Sequence, residues 1–231
     1  MQKGLDFLLS KYSVEDKVSF SIDGKTVNIA DKTYPVLPYE SERRFIEMRN
    51  LVLNGRLGNM CTYRIGHTFK KGSDIFEILK REIGILEFTI NSIVKEIFAI
   101  ASGNAMNCIV ETENGCVCTI ELGATLENGQ KDVDKHEIIT DNGVACDRVV
   151  DTQNPQESIY VYGKKELTFT DTDAELYGYS EMEINTIRNA FAIAKSKDLR
   201  YANVEKAAHI EKVVTAAKVS LETLENVKVE G

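Results

Sequence analysis

No run of 18 apolar residues occurs in the 231-residue chain, so no stretch of it reads as a membrane-crossing helix. The start does not read as a secretory leader either. The first residues, MQKGLDFLLSKYSVED, hold two lysines around an apolar stretch shorter than the roughly 7–15 residues such a leader needs. Positive charge is in deficit, with 28 Lys and Arg against 36 Asp and Glu and a formal net charge of −8. Phosphate neutralisation needs a basic surface, which argues against a nucleic-acid or anionic-membrane partner. Cysteines number five, an odd count without framework spacing, which suits a reducing compartment rather than a disulfide scaffold. Together these absences lead to the expectation of a cytoplasmic protein.

What is present is strong periodicity. Leu5 to Tyr12 reads as a short amphipathic helix, and VSFSIDGKTVNIA as two strands around a type I′ turn at Asp23-Gly24. Pro35 and Pro38 break the chain into an extended connector. In YESERRFIEMRNLVLNGRLG, Phe45, Met48, Leu51 and Val52 recur at helical spacing, and Asn54-Gly55 ends the helix. NMCTYRIGH reads as a strand ending near Gly66. Ser73 then caps a helix carrying Ile75, Phe76, Ile78, Leu79 and Ile83.

From about Val94 the period changes to two. KEIFAIAS, AMNCIVET, CVCTIEL, HEIIT, VACDRVV, SIYVYG and ELTFT read as short strands. Ser180 with Glu183 forms a capping box for EMEINTIRNAFAIAKS, and VEKAAHIEKVVTAAKVSLETL gives a last helix with Ala207, Ile210, Val214 and Ala217 on one stripe. Helices first, strands next and helices last predict an α+β fold: an open, mostly antiparallel β-sheet with helices packed on one face. Residues 1–39 read as an N-terminal helix and hairpin extension, and 40–231 as the main domain.

Two hairpins allow a register to be predicted. A three-residue loop Glu113-Asn114-Gly115 with Gly115 left-handed puts Met106, Cys108, Val110, Cys116, Cys118 and Ile120 on one face. Asn107, Glu111, Thr119 and Glu121 then share the other, a cleaner separation than a two-residue loop gives. A two-residue Asn142-Gly143 loop places Glu137 opposite Arg148.

Few residue clusters suggest chemistry. Cys108, Cys116 and Cys118 lie within strands in a C-x-C pattern rather than on C-x2-C knuckles, so they read as core thiols and not as a metal site. His209 reads as a partly exposed helical histidine, and His136 as a strand-rim residue. No G-x-G-x-x-G occurs, which removes the dinucleotide fingerprint. In GHTFKKGSDIF, residues 66–76, the glycines are spaced wrongly for a phosphate loop, and Ser73 rather than a lysine follows the second one. What remains there is His67, Lys70 and Lys71 on a loop between strand and helix, with Asp74 in the helix's first turn. Such a junction is a common place for site residues, and equally for a solvated bend.

The order of these segments resembles the C-terminal domain of the glucose–fructose oxidoreductase / inositol dehydrogenase (Gfo/Idh/MocA) family. The pieces that carry the resemblance are RRFIEMRNLVLNGRLGNM, with its G-x-L-G ending, then GSDIFEILKREIG and VKEIFAIAS. The closing helices EMEINTIRNAFAIAKSKD through HIEKVVTAAKVS complete it, over roughly residues 40–222. The resemblance implies a sheet domain that binds a sugar or polyol and mediates oligomerisation, beside a Rossmann domain that holds NAD(P) and supplies an E-K-P lysine. It also implies a D-x-x-x-H-x-x-D site pattern. Laid on Asp74, that pattern puts the first aspartate at His67 and the histidine at Lys71, so only Asp74 is kept.

The chain carries neither an E-K-P motif nor a Rossmann half. The expectation is a stand-alone relative of the substrate-binding and oligomerisation domain, without catalysis of its own. It is expected to bind no cofactor alone and to form a homodimer or higher homo-oligomer through its open sheet face. The alternative is an active oxidoreductase subunit that uses NAD(P) held by a separate Rossmann-domain partner, with His67, Lys71 and Asp74 lining the site. A fragment of a longer dehydrogenase is a third reading, against which stand the initial Met and the self-contained look of residues 1–39.

Overall fold

The computed structural model describes residues 1–55, 58–147, 158–161, 167–170 and 173–230. The chain begins with α1 (Gln2–Lys11) and a three-stranded antiparallel sheet of β1 (Val18–Phe20), β2 (Thr26–Ile29) and β3 (Lys32–Pro35). The β1–β2 register is centred on Asp23-Gly24 as expected, with Val18 opposite Ile29. Of the two turn residues, however, only Gly24 has positive φ, which a type I′ turn would require of both. Asp23 instead accepts hydrogen bonds from the Ser21 hydroxyl and the Lys25 amide.

After a 3-10 turn at Pro38–Ser41 come α2 (Arg43–Leu53), β4 (Met60–Lys70) and α3 (Ile75–Ile90). The sheet continues with β5 (Val94–Ser102), β6 (Ala105–Thr112), β7 (Val117–Leu126), β8 (Val133–Thr140) and β9 (Gly143–Cys146). A separate hairpin of β10 (Ser158–Val161) and β11 (Leu167–Thr170) precedes α4 (Glu181–Lys195) and α5 (Lys197–Thr223), and β12 (Val227–Lys228) ends the chain.

The main sheet has seven strands in the order β12-β5-β6-β7-β4-β8-β9. Only the central β4–β7 pair is parallel. The predicted α+β class and the open, mostly antiparallel sheet with helices on one side are what the structure shows. No helix among the described residues is long and apolar enough to cross a membrane.

Strand alternation sorts the side chains of the sheet. Ile97, Val110, Cys118, Tyr63 and Ile138 form one inward row across five strands, all fully or almost fully buried. Leu79, Ile83 and Leu86 of α3 and Val213, Val214 and Ala217 of α5 close the core from the helix side. Each large aliphatic side chain buried there contributes about 1.5–3 kcal/mol. A second core joins Leu5 and Leu8 of α1 and Val27 and Ile29 of β2 to Ile187, Ala190 and Ile193 of α4. The N-terminal 39 residues thus share their core with a helix from the far end of the chain.

The Glu113–Gly115 hairpin has the predicted register: Val110 faces Cys118, and Gly115 has φ +81°. The Asn142-Gly143 turn does not. Thr140 pairs with Gly143, so Asp141 and Asn142 form the loop, and Glu137 lies opposite Cys146. Arg148, the partner expected for Glu137, lies outside the described residues.

Candidate functional site

β4 runs four residues past the expected end at Gly66, because the inward alternation Tyr63, Ile65, His67, Phe69 continues through it. His67 is therefore a core-facing strand residue, 5% exposed, and not part of a loop. Its cross-strand neighbour is Asp134, and Ile65 faces His136 in the same way. Above them α3 presents Glu82, which is completely buried on the same stripe as Leu79 and Leu86.

These side chains form one connected network. Glu82 Oε1 accepts from His67 Nδ1 at 2.7 Å and from Arg81, and Oε2 accepts from His136 Nε2 at 2.8 Å. His136 Nδ1 donates to Asp147 at 2.7 Å, and the His136 backbone N–H donates to the same carboxylate at 2.8 Å. Arg44, from the first turn of α2, grips Asp134 with two donors at 2.9 and 2.7 Å and reaches Asp147 at 2.9 Å. Arg81 closes the circuit onto Asp134 at 3.2 Å. Phe45 wedges between the layers, its ring 4.8 Å from the His136 ring and 4.4 Å from the Arg44 guanidinium.

Burial alone would raise the Glu82 pKa. The hydrogen bonds from His136 and His67 and the charge of Arg81 outweigh it, and hold Glu82 well below the usual carboxylate range. Burial would likewise lower His136, yet its bonds to Asp147 and Glu82 push it up to about 9. An ionised Glu82 only accepts hydrogen bonds, so the facing nitrogens of both histidines must carry protons. His136, with a carboxylate on each nitrogen, is an imidazolium. The expected rim position for His136 is thus corrected: the sheet register buries it completely.

The remaining members of the sequence-derived site lie elsewhere. Lys71 follows the end of β4, is half-exposed and pairs with the exposed Glu127. Asp74 caps α3, accepting from the Phe76 amide at 2.9 Å, so the cap is Asp74 and not Ser73. The structure does not bring His67, Lys71 and Asp74 together. His209 is partly exposed as expected, and sits 3.1 Å from both the Val94 carbonyl and Glu87. Cys108, Cys116 and Cys118 are core thiols, with Cys116 and Cys118 Sγ atoms 3.6 Å apart. Burial pushes the Cys108 thiol up to about 12.

Asp134, His136 and Asp147 could each offer one ligand atom, all within 4.8 Å of one another. The Arg44 guanidinium already bridges both carboxylates, so the protein supplies its own cation there. The sequence held a signal for this network. Glu82 falls at helical spacing on the apolar stripe of α3, and His136 alternates with Ile138 and Thr140. Polar groups on such stripes require partners.

Beside the network lies a cleft of about 490 Å³. Its walls come from the 3-10 segment, from α2 and α3, and from α4 and α5, with Lys25 from the β1–β2 turn. Arg44 and Arg81 belong to both the network and the cleft. Four cations (Lys25, Arg44, Lys80, Arg81) and four carboxylates (Glu42, Glu77, Glu181, Glu211) line it. Val36, Leu37, Pro38, Met182 and Ile210 add apolar surface. His67, Lys71 and Asp74 are not among its lining residues.

No protein-family model matches the chain, and no curated protein matches it. Solved structures do. Scyllo-inositol dehydrogenase from Lactobacillus casei, with bound NAD(H) and scyllo-inositol, aligns with a TM-score of 0.62 at 12% identity, over 84% of this chain and 63% of that one. A probable dehydrogenase from Thermotoga maritima aligns with a TM-score of 0.60 at 16% identity, over the same shares. A levoglucosan dehydrogenase in complex with NADH and levoglucosan gives 0.61 at 12% identity, over 84% of this chain and 65% of that one. The fold is therefore shared with inositol and sugar dehydrogenases, as the resemblance in sequence implied. This chain spans less than two thirds of their length.

Proposed function

We propose that the chain is a homologue of the substrate-binding and oligomerisation domain of a sugar or polyol NAD(P)-dependent oxidoreductase, without catalysis of its own. The observation that carries this reading is the site: His67 is buried against Glu82, while Lys71 lies in the exposed turn and Asp74 is spent as a helix cap, in a chain of which 84% aligns with an inositol dehydrogenase. Hydride transfer needs a nicotinamide held against the substrate, and the sequence has no dinucleotide fingerprint.

The partner in this reading is a second copy of the chain, meeting it through the outer sheet face. Ile100, Ile109, Val117, Val133 and Val144 stand there, each between 45 and 58% exposed. Cross-strand pairing puts them on one surface, among Phe98, Thr119, Arg64 and Glu137. A sheet face that exposes several large aliphatic side chains among polar ones is a usual place for association. Light scattering tests it: a homodimer or larger species is expected, and Ile109→Glu with Val117→Lys should dissociate it. A wild-type monomer across the micromolar range would contradict the assignment.

A second reading, an active subunit borrowing NAD(P) from a separate Rossmann partner, is favoured by one observation. His67 is oriented by a buried carboxylate through Nδ1, which leaves Nε2 turned toward the exposed Asp132, 3.9 Å away. A carboxylate-oriented imidazole is the usual form of a general base. Lys71 and Asp74 would join it in that reading only if a substrate spanned the end of β4. In either reading the protein resides in the cytoplasm.

A further inference from the structure

We propose that Cys116 and Cys118 form a dithiol site that small peroxides oxidise to a reversible disulfide within the chain. The site is independent of the sugar-domain reading.

The geometry of the pair carries the proposal. Cys116 immediately precedes β7 and Cys118 is its second residue, so both thiols point to the inner face, their Sγ atoms 3.6 Å apart. Two residues apart on extended chain, their Cα atoms stand about 6.6 Å from one another, near the upper end of what a disulfide spans. Closing the bond therefore requires a small inward movement of one partner. Cys118 cannot supply it, since it is completely buried in the inward row between Val110 and Tyr63. Cys116 can, because it stands where the Glu113–Gly115 turn meets the strand. Its carbonyl accepts from the Thr112 amide at 3.0 Å and hydroxyl at 3.1 Å, and its amide donates to the Asn114 side chain at 3.2 Å.

The two thiols also differ in chemistry. The hydrogen bond from Cys118 lowers the Cys116 thiol below its ordinary value against the effect of burial, and Cys118 is raised in return. Cys116 is thus the nucleophile and Cys118 the resolving thiol. Cys116 is 6% exposed, an opening that admits hydrogen peroxide but hinders a bulky disulfide such as oxidised glutathione.

The Cys116 thiolate attacks one peroxide oxygen, the O–O bond breaks, hydroxide leaves and a sulfenic acid forms. The Cys118 sulfur then attacks the Cys116 sulfur. The S–S bond forms as the S–O bond breaks, and water leaves with the Cys118 proton. Both thiols are oxidised, and one peroxide is reduced to two waters. So short a ring takes little entropy from the unfolded chain, so the bridge is expected to reopen under a thiol reductant.

The test uses the full chain carrying Cys61→Ser and Cys146→Ser, which removes the two exposed thiols, with folding checked by circular dichroism. Hydrogen peroxide is added, free thiols are alkylated after denaturation, and the product is mapped by mass spectrometry. The expected product has lost two hydrogens at Cys116 and Cys118, keeps Cys108 as a thiol, and reverts with dithiothreitol. Adding Cys118→Ala should stop the reaction at a Cys116 sulfenic acid, trapped by dimedone, whereas Cys116→Ala should give no adduct. Oxidised glutathione should react at least about tenfold more slowly than peroxide.

A bridge that forms only after urea unfolding would overturn the site, as would a bridge to Cys108. Sulfinic acid on Cys116 beside a free Cys118 would overturn the resolving role. A dimedone adduct on Cys118 in Cys116→Ala would reverse the order of attack, and equal rates with oxidised glutathione would overturn the choice of oxidant. Should either alanine variant fail to fold, mapping of the parent chain still decides the pairing.

Discussion

His67 and Lys71 are four residues apart, and the sequence offers them as one site; in the structure they belong to different environments. His67 is locked between a sheet and a helix by a buried carboxylate, whereas Lys71 stands in solvent against an exposed glutamate. Asp74, three residues further on, serves as a helix cap. The difference follows from strand alternation. As long as β4 continues, every second residue faces the core, and the turn that follows escapes that constraint altogether. Nearness in sequence at a strand–helix junction therefore says little about convergence in space.

The comparison can be broken most forcefully at Glu82. Replacing it by alanine takes from the buried imidazolium of His136 and the partly buried Arg81 one of their two carboxylates, and from His67 its buried acceptor. A loss of about 3–5 kcal/mol in urea unfolding is expected. A loss below about 1 kcal/mol would mean that water enters the network and that the two regions differ little.

The pH dependence of stability sharpens the same contrast. The folded pKa of His136, about 9, lies above its ordinary 6.5. Its contribution is therefore complete below pH 6.5, declines as pH rises, and is gone above about 9. The shift corresponds to roughly 3 kcal/mol. His209, raised by its bond to Glu87, adds in the same direction. Glu82 and Asp134, both depressed, act oppositely: their contributions hold above ordinary carboxylate pKa values and fade in acid. Urea unfolding at pH 6 and pH 9.5 should show the alkaline loss, and His136→Gln should flatten it.

The exposed turn should give the smallest effects. Asp74→Ala removes a helix cap and is expected to cost about 1 kcal/mol. Lys71→Ala breaks only a surface ion pair, worth about 0.5 kcal/mol or less. Thermal unfolding of the two variants checks both values, and a Lys71 cost as large as that of Glu82 would erase the distinction.

Much of the fold was legible because local signals were strong and agreed with the packing. The Ser180–Glu183 capping box forms as expected, and polar–apolar separation selected the Gly115 register. The short strands β3 and β12 were not legible, since neither carries a periodicity of its own. β12 is fixed only by pairing with the edge of β5, Val227 against Ile97. At Asn142-Gly143 the usual turn preference did not hold: Asp141 and Asn142 form the loop, and Gly143 pairs with Thr140. The site was harder to read. A glycine and a histidine at positions 66 and 67 look like the end of a strand, although Phe69 beyond them is fully buried. The other members of the network that holds His67 come from α2, α3, β8 and the segment after β9, contacts that no local pattern announces.

The account stands most directly on a titration of the purified chain with NADH, followed by fluorescence and calorimetry. It predicts no saturable binding up to the millimolar range, because no part of the sequence carries a dinucleotide-binding pattern. A micromolar dissociation constant for the isolated chain would contradict it.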